Sequence, residues 1–152
     1  MRIFGEYRLK EDPVTESIED YLEALWISNE RGQDLARIKW IAAHLRIAPP
    51  SVVEMLRKLR KENYVVYIPR KGARLTDKGR TIAKAIIRNH RLMEVLMKKT
   101  LRIKLDHQSV CGIEHHMNED FADAICTLLK HPRKCPHGYP IPKGECCPAR
   151  LG

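Results

Sequence analysis

Three observations predict that this chain of 152 residues is mainly α-helical and begins with a winged helix-turn-helix. Apolar residues recur at helical spacing through most of the chain. Two short helices, the second rich in Arg and Lys, are separated by only a few residues. A β-hairpin with a basic, glycine-containing tip follows them directly. Because this order of elements is typical of a winged helix, we expect such a domain first and a second helical unit after it.

The first 80 residues contain the elements of the predicted winged helix. They are expected, in order, as a polar arm over residues 1–14, helices over 17–30, 35–45 and 51–61, and a hairpin over 64–75. Thr15 or Ser17 can cap the first helix. Pro50 suits the first turn of the third helix, where its missing N–H costs nothing. The predicted DNA-binding domain therefore spans residues 15–80.

The second half is also predicted to be helical. A long helix capped by Thr76 is expected to run to about Thr100, followed by helices over residues 107–117 and 118–130, with Asn118 as the cap between them. From residue 131 onward, frequent prolines and glycines indicate an irregular segment. The expected divisions are a helical domain over 81–131 and a Cys- and Pro-rich tail over 132–152.

The charge is concentrated in the middle of the chain. The net charge is +9, and residues 31–90 contain fifteen Lys and Arg against four Asp and Glu, so the remainder carries −2. This distribution is typical of a nucleic-acid-binding module joined to another unit. No apolar run reaches the roughly 18 residues of a membrane helix, and the N-terminus does not resemble a signal peptide. We therefore expect a cytoplasmic protein that does not interact with membranes.

Five cysteines, at positions 111, 126, 135, 146 and 147, are an odd number without the spacing of a secreted disulfide framework. Reduced thiols are expected, some of them metal ligands. His107, Cys111, Glu114 and His115 stand at positions i, i+4, i+7 and i+8, which lie along one stripe of a helix. Imidazole and thiolate suit borderline divalent metals, and carboxylate suits harder ones such as Mn²⁺ or Fe²⁺. The alternative is a polar helix face with a buried cysteine.

Five motifs then occur in one order along the chain: Ser17–Glu23, Pro50–Val53, Leu75–Arg80, Arg88–Leu92 and Cys111–His115. With these motifs the chain resembles the iron- and manganese-dependent transcriptional repressors of the diphtheria toxin repressor type, over about residues 15–142. The resemblance implies that the helical domain carries a metal site and a dimer interface. It further implies a metal-dependent repressor rather than an enzyme, acting as a homodimer on palindromic double-stranded operator DNA to control metal-uptake genes, without a small-molecule substrate.

The resemblance also implies ligands position by position. The primary site would comprise Asp20, Glu23, Cys111, Glu114 and His115. The second site would comprise His90, Glu94 and His107. Longer members of the family add a small SH3-like β domain that supplies further ligands to the second site. We expect this shorter chain to lack that domain, which would leave the second site incomplete or weaker.

The predicted primary site mixes features of the iron and manganese subtypes, because Asp20 occurs together with Cys111. Thiolate favours Fe²⁺, Co²⁺, Ni²⁺ or Zn²⁺, whereas two carboxylates favour Mn²⁺ or Fe²⁺. The expected cofactor is therefore Fe²⁺ or Mn²⁺, with Fe²⁺ preferred, and the other ions could substitute in vitro. Without the resemblance, the pairs Asp20 and Glu23 and His90 and Glu94 would equally suit a solvated helix surface.

The winged helix predicts which residues contact DNA. Residues of the third helix that would face the groove are Pro50, Ser51, Glu54 and Lys58. Residues that would contact phosphates, which position a protein without reading sequence, are Lys61, Arg70 and Lys71. A metal ion that joins Asp20 to the predicted helix over 107–117 would set the two recognition helices of a dimer about 34–36 Å apart, which matches successive major grooves.

Two other classes of function remain open at this point. A winged-helix redox sensor could respond through Cys111 or the tail thiols. A metalloenzyme could use the Cys, Glu and His cluster, but no general base stands outside the ligand set. The tail group Cys135, His137, Cys146 and Cys147 could also bind structural Zn²⁺ or belong to an exposed tail. Single residues expected to be structural are His44, His116, Cys126 and His131.

Overall fold

The computed structural model describes residues 15–148, so the predicted arm over residues 1–14 lies outside the described part, as do residues 149–152. Six α-helices and two strands occur in the predicted order, which confirms a mainly α protein with an N-terminal winged helix. Their bounds are α1 Glu16–Glu30, α2 Ile38–Leu45, α3 Pro49–Lys61, β1 Val65–Ile68, β2 Gly72–Leu75, α4 Asp77–Val95, α5 His107–Glu114 and α6 Glu119–Leu128. Within residues 15–148, no helix combines the length and apolar character required to cross a membrane.

The winged helix has its own hydrophobic core. Apolar side chains from α1, α2 and α3 meet there, and the fully buried ones include Leu22, Ile41, Val52, Leu56 and Leu59. Burying each such side chain stabilises the fold by roughly 1.5–3 kcal/mol. The core fixes α3 against α2 and β1, and the opposite face of α3 remains exposed to solvent.

Helix α2 begins later than the predicted start at Leu35. The backbone N–H of Ala36 donates to the carbonyl of Ala73 at 2.8 Å, and the N–H of Ala73 donates back at 3.0 Å. This strand-like pairing with the wing prevents Ala36 from joining the helix. A Cβ at Gly72 would overlap the carbonyl of Ala36, so only glycine permits this close approach.

Helix α4 connects the two halves of the molecule. Thr76 caps it as predicted, its Oγ1 accepting a hydrogen bond from the N–H of Gly79 at 3.1 Å. Its N-terminal part packs on the winged-helix core through Ala83, and Leu92 lies in a second core with residues of α5 and α6. The α-helix ends earlier than the predicted Thr100, because residues 96–101 continue as a π-helical segment.

The last two helices are shorter than predicted. Helix α5 ends at Glu114 instead of Met117, and α6 ends at Leu128 instead of Lys130. Asn118 caps α6 as expected, accepting from the N–H of Phe121 at 2.8 Å. The tail has no helix between residues 132 and 148, but Cys135 and Ile141 are buried in the second core. This part of the tail is therefore packed on the helical half, which contradicts the alternative of an exposed tail.

Candidate metal centre

Three ligand atoms of the predicted primary site meet between α1 and α5. His115 Nε2 lies 3.0 Å from Asp20 Oδ1 and 3.7 Å from Cys111 Sγ, and Cys111 Sγ lies 4.0 Å from Asp20 Oδ1. Asp20 belongs to the winged helix, whereas Cys111 and His115 belong to the helical half. The group can therefore bind one cation with ligands from both halves.

Glu19 orients the imidazole of this group and was missed by the sequence analysis. Its Oε2 lies 2.5 Å from His115 Nδ1, and only 2% of the His115 side chain is exposed. A carboxylate on Nδ1 fixes the tautomer and presents Nε2 to a metal. In the sequence Glu19 is one of two adjacent acids, and periodicity could not show which of them faces α5.

Glu114 is fully buried and lies between the two predicted sites. Its Oε2 is 2.5 Å from His90 Nδ1, and its Oε1 is 3.6 Å from His115 Nε2. Oε1 accepts no hydrogen bond from the described residues. A buried carboxylate oxygen without a partner is costly, and a cation beside it would remove that cost. The donor set around Glu114 therefore fits a divalent metal.

Glu23 lies on the His90 side of Glu114. Its Oε1 is 3.6 Å from His90 Nδ1, and Glu23, His90 and Glu114 together could bind a cation. The resemblance assigned Glu23 to the primary site with Asp20. In the structure the two carboxylates, three residues apart on α1, face different imidazoles. The two predicted sites therefore form one continuous row of ligands joined through Glu114.

The predicted second-site residues also come together. His90 Nε2 lies 3.4 Å from Glu94 Oε1, and His107 completes a group of three possible ligands. Two tail residues extend this group. His137 Nδ1 lies 3.1 Å from Glu94 Oε1, and the His137 ring stacks on the His107 ring with 5.9 Å between centroids. The candidate ligand atoms of Cys135, Glu94 and His137 lie within 4.8 Å of one another.

This placement corrects the expectation that Cys135 and His137 bind zinc together with Cys146 and Cys147. The tail folds back on itself, with the N–H of Cys135 donating to the carbonyl of Tyr139 at 2.9 Å. The Arg91 guanidinium also donates to the carbonyl of Pro140 at 2.6 Å. These bonds direct Cys135 and His137 toward Glu94, away from the two later cysteines.

The ionisable groups of the row shift one another's pKa values. Burial raises the pKa of Glu23 to about 7, and the charge of Glu114 adds to this. Burial alone would lower the pKa of both histidines, but their hydrogen bonds to carboxylates outweigh it. The pKa rises to about 10 for His90, through Glu114 and Glu94, and to about 11 for His115, through Asp20 and Glu19. Burial raises the pKa of the Cys111 thiol. The metal-free row thus retains protons that a cation would displace.

The predicted DNA-contacting residues are all exposed. They lie on the outer face of α3, at its C-terminal end or at the tip of the wing: Pro50, Ser51, Glu54, Lys58, Lys61, Arg70 and Lys71. Asp20 lines the same surface groove as Ser51, Glu54 and Lys58. The candidate metal ligand of α1 therefore lies beside the candidate recognition helix.

A winged helix joined to a second helical unit through a shared row of candidate metal ligands is typical of metal-responsive DNA-binding regulators. The chain belongs to the iron dependent repressor family. The family's N-terminal DNA binding domain matches residues 13–73, and its metal binding and dimerisation domain matches residues 76–143. Family membership confirms the predicted class of metal-dependent transcriptional repressor, which is not a class of enzymes. It gives no support to the redox-sensor alternative.

Curated relatives and solved structures agree with this assignment. The HTH-type transcriptional regulator MntR of Shouchella clausii is 39% identical over 119 residues, which are 77% of this chain and 82% of the relative. The Bacillus subtilis protein of the same name is 34% identical over 122 residues, covering 78% and 83%. The structure of the manganese regulator SloR superposes with a TM-score of 0.71 at 34% identity, covering 82% of this chain.

This chain spans about three fifths of the length of two of the solved relatives. The chain spans 59% of SloR and 62% of a manganese-dependent transcriptional repressor solved in complex with manganese. The latter has a TM-score of 0.76, is 30% identical and matches 88% of this chain.

Proposed function

We propose that a divalent cation held by Asp20, Cys111, Glu114 and His115 activates this protein as a DNA-binding repressor of metal-uptake genes. The observation that carries the proposal is the 3.0 Å approach of His115 Nε2, at the C-terminal end of α5, to Asp20 Oδ1 on α1. These two atoms belong to different halves of the molecule. A group that binds both fixes how the winged helix sits on the helical half.

The residues of the row perform defined parts of this activation. Glu19 keeps the Nδ1 proton on His115, so that Nε2 is the nitrogen available for binding. Glu114 offers one oxygen to each side of the row. When bound, the cation supplies the positive charge that the displaced protons supplied before, and it adds directed bonds to both halves. The DNA-competent arrangement thereby gains stability, typically by about 1–3 kcal/mol of coupling energy.

A second cation would occupy the Glu23 and His90 end of the row. Glu94 and His107 belong to the predicted second site, and the tail adds Cys135 and His137 beside them. We propose that these two tail residues act as further ligands of the second site. That site would then be complete instead of weakened.

The proposed active form is a homodimer on DNA. Large apolar side chains are exposed on the helical half, including Ile113 (39%), Phe121 (51%) and Leu128 (67%). A second copy would cover this surface, and two-fold symmetry would match a palindromic operator. In this arrangement residues of α3 enter the major groove, and Lys61, Arg70 and Lys71 contact phosphates.

We propose Fe²⁺ as the activating ion, although several relatives are named for manganese. The carboxylates of Asp20 and Glu114 accept both Fe²⁺ and Mn²⁺. The Cys111 thiolate, with Sγ 3.7 Å from His115 Nε2, favours the softer Fe²⁺. The physiological ion is therefore set by the residue at position 111.

Replacing Cys111 with glutamate is expected to shift the preference from Fe²⁺ toward Mn²⁺ by about tenfold or more, because a third carboxylate replaces the soft ligand. Anaerobic titrations of each ion, with operator binding as the readout, give the preference as a ratio of half-saturating concentrations. Cys111→Ser is the matched control, since it removes the thiolate without adding a carboxylate. An unchanged ratio in Cys111→Glu would show that the thiolate does not select the ion.

A further inference from the structure

A separate group of metal-binding side chains lies at the end of α6, where two loops meet. It contains Cys126, His131, Cys146 and Cys147. His131 Nδ1 lies 3.6 Å from Cys126 Sγ and 3.9 Å from Cys146 Sγ. Cys147 Sγ lies 3.7 Å from Cys126 Sγ and 3.9 Å from Cys146 Sγ. None of these residues belongs to the row of ligands around Glu114.

The separations match the edges of a tetrahedral zinc site. With Zn–S bonds of about 2.3 Å and Zn–N bonds of about 2.0–2.1 Å, tetrahedral angles place two sulfurs about 3.8 Å apart and a sulfur and a nitrogen about 3.6 Å apart. The four measured edges lie between 3.6 and 3.9 Å. Two sulfurs in a disulfide would be about 2.05 Å apart, and all five cysteines are free in the structure.

The backbone is shaped to bring the four ligands together. After α6 the chain turns sharply, with left-handed φ values of 60° at Lys130 and 53° at His131. The N–H of His131 donates to the carbonyl of Cys126 at 2.8 Å. A second turn places the adjacent cysteines, with the N–H of Cys147 donating to the carbonyl of Gly144 at 3.1 Å. Two consecutive left-handed residues other than glycine are unfavourable, so the packing around His131 must hold them in place.

A buried arginine contacts one sulfur atom of this group. The Arg88 guanidinium is 6% exposed and donates to Cys146 Sγ at 3.4 Å and to Asp123 Oδ1 at 2.6 Å. A side chain on Gly144 would overlap both Arg88 and Asp123, so the loop fits closely over this ion pair. This contact places a positive charge beside a sulfur atom of the group, where it would offset part of the negative charge of metal-bound thiolates.

We propose that Cys126, His131, Cys146 and Cys147 bind one structural Zn²⁺ ion. Three sulfurs and one imidazole form a closed tetrahedral set of soft and borderline donors, as structural zinc requires, with no position left for a substrate. The site holds residues 132–148 against α4 and α6, and that segment carries Cys135 and His137 to Glu94. The ion would be a permanent part of the fold, distinct from the exchangeable cation proposed at Asp20, and its presence does not depend on that function.

The test is the zinc content of the purified full chain, measured by elemental analysis after exhaustive exchange against a mild chelator. The expected result is about one Zn²⁺ per chain in the wild type and in Cys111→Ser, and a loss of about tenfold in Cys146→Ser. His131→Cys should retain the ion, because four thiolates also bind zinc. With Co²⁺ in place of zinc, the wild type and Cys111→Ser should show the intense visible bands of a tetrahedral thiolate site.

A measurement on the unmodified protein guards against variants that fail to fold. Stepwise blocking of thiols with an organomercurial should release the ion into a zinc-sensitive dye in proportion to the blocked cysteines. The proposal is overturned if the wild type holds no zinc after exchange, if zinc is lost only in Cys111→Ser, or if thiol counts reveal a disulfide among the three cysteines.

Discussion

Replacing Asp20 with asparagine is expected to remove metal activation of operator binding. The substitution keeps the size of the side chain but removes the charge of the α1 ligand, whose Oδ1 lies 3.0 Å from His115 Nε2. Loss of supporting contacts around a metal site typically costs 10–100-fold in affinity, and loss of a direct ligand should cost about 100-fold or more. The gain in operator affinity on adding metal, expected to be about 5–150-fold in the wild type, should fall to near one.

The measurement is fluorescence anisotropy of a labelled operator with and without metal. Glu16→Gln is the matched control, because it removes an exposed carboxylate one turn earlier on α1 and should behave as the wild type. Thermal melts of the metal-free proteins separate loss of a ligand from loss of the fold. Full metal activation in Asp20→Asn would show that the cation does not join the two halves through α1.

The affinity for the activating cation should fall steeply as the pH is lowered. Hydrogen bonds to Asp20 and Glu19 raise the pKa of His115 to about 11 against the effect of burial, and burial raises the pKa of the Cys111 thiol. Both groups are therefore protonated in the metal-free protein between pH 6 and 8. Because the bound ligands are deprotonated, about two protons leave for each cation, and the affinity should drop by about 100-fold for each unit of pH decrease.

Calorimetric titrations in buffers of different ionisation enthalpy count the released protons directly. Cys111→Ser should release about one proton fewer than the wild type, since serine remains neutral. Below pH 7 the affinity for a second cation should fall more steeply with decreasing pH, because Glu23, with a pKa of about 7, also becomes protonated. Proton release near zero would contradict the protonation of the metal-free row that the structure indicates.

The sequence predicted the fold well because its signals are local. The caps Thr76 and Asn118 and the basic wing each depend on a few neighbouring residues, and each lies where it was expected. One error occurs where a tertiary contact overrides local preference, because Ala36 pairs with the wing instead of starting α2. The change from α-helical to π-helical geometry at the end of α4 is a second difference, which helical spacing alone does not predict.

The candidate site was predicted in its residue types but not in its connections. Helical spacing put Cys111 and His115 on one face, and the structure brings them to Asp20. Spacing could not show that Glu114 is shared between two groups, or that Glu19 supports His115. Those contacts join residues far apart in the chain and depend on how α1, α4 and α5 pack.

The tail is a second case in which spacing along the chain does not predict which residues come into contact. Four of its residues were expected to form one zinc site, yet they divide between two clusters. Cys135 and His137 lie beside Glu94, whereas Cys146 and Cys147 lie beside Cys126 and His131. The sequence predicts only structural roles for Cys126 and His131. The turns after α6 decide which cysteines come together, and the sequence pattern does not predict those turns.

The most direct test of the central claim is the binding of a labelled duplex from the gene's own upstream region, measured anaerobically at fixed salt. Salt must be constant because phosphate contacts make the affinity salt-dependent. The proposed function predicts weak binding with a mild chelator and restoration by Fe²⁺ at lower free concentration than by Mn²⁺. Tight binding that is indifferent to chelator and to both ions would contradict regulation through the row of ligands between α1 and α5.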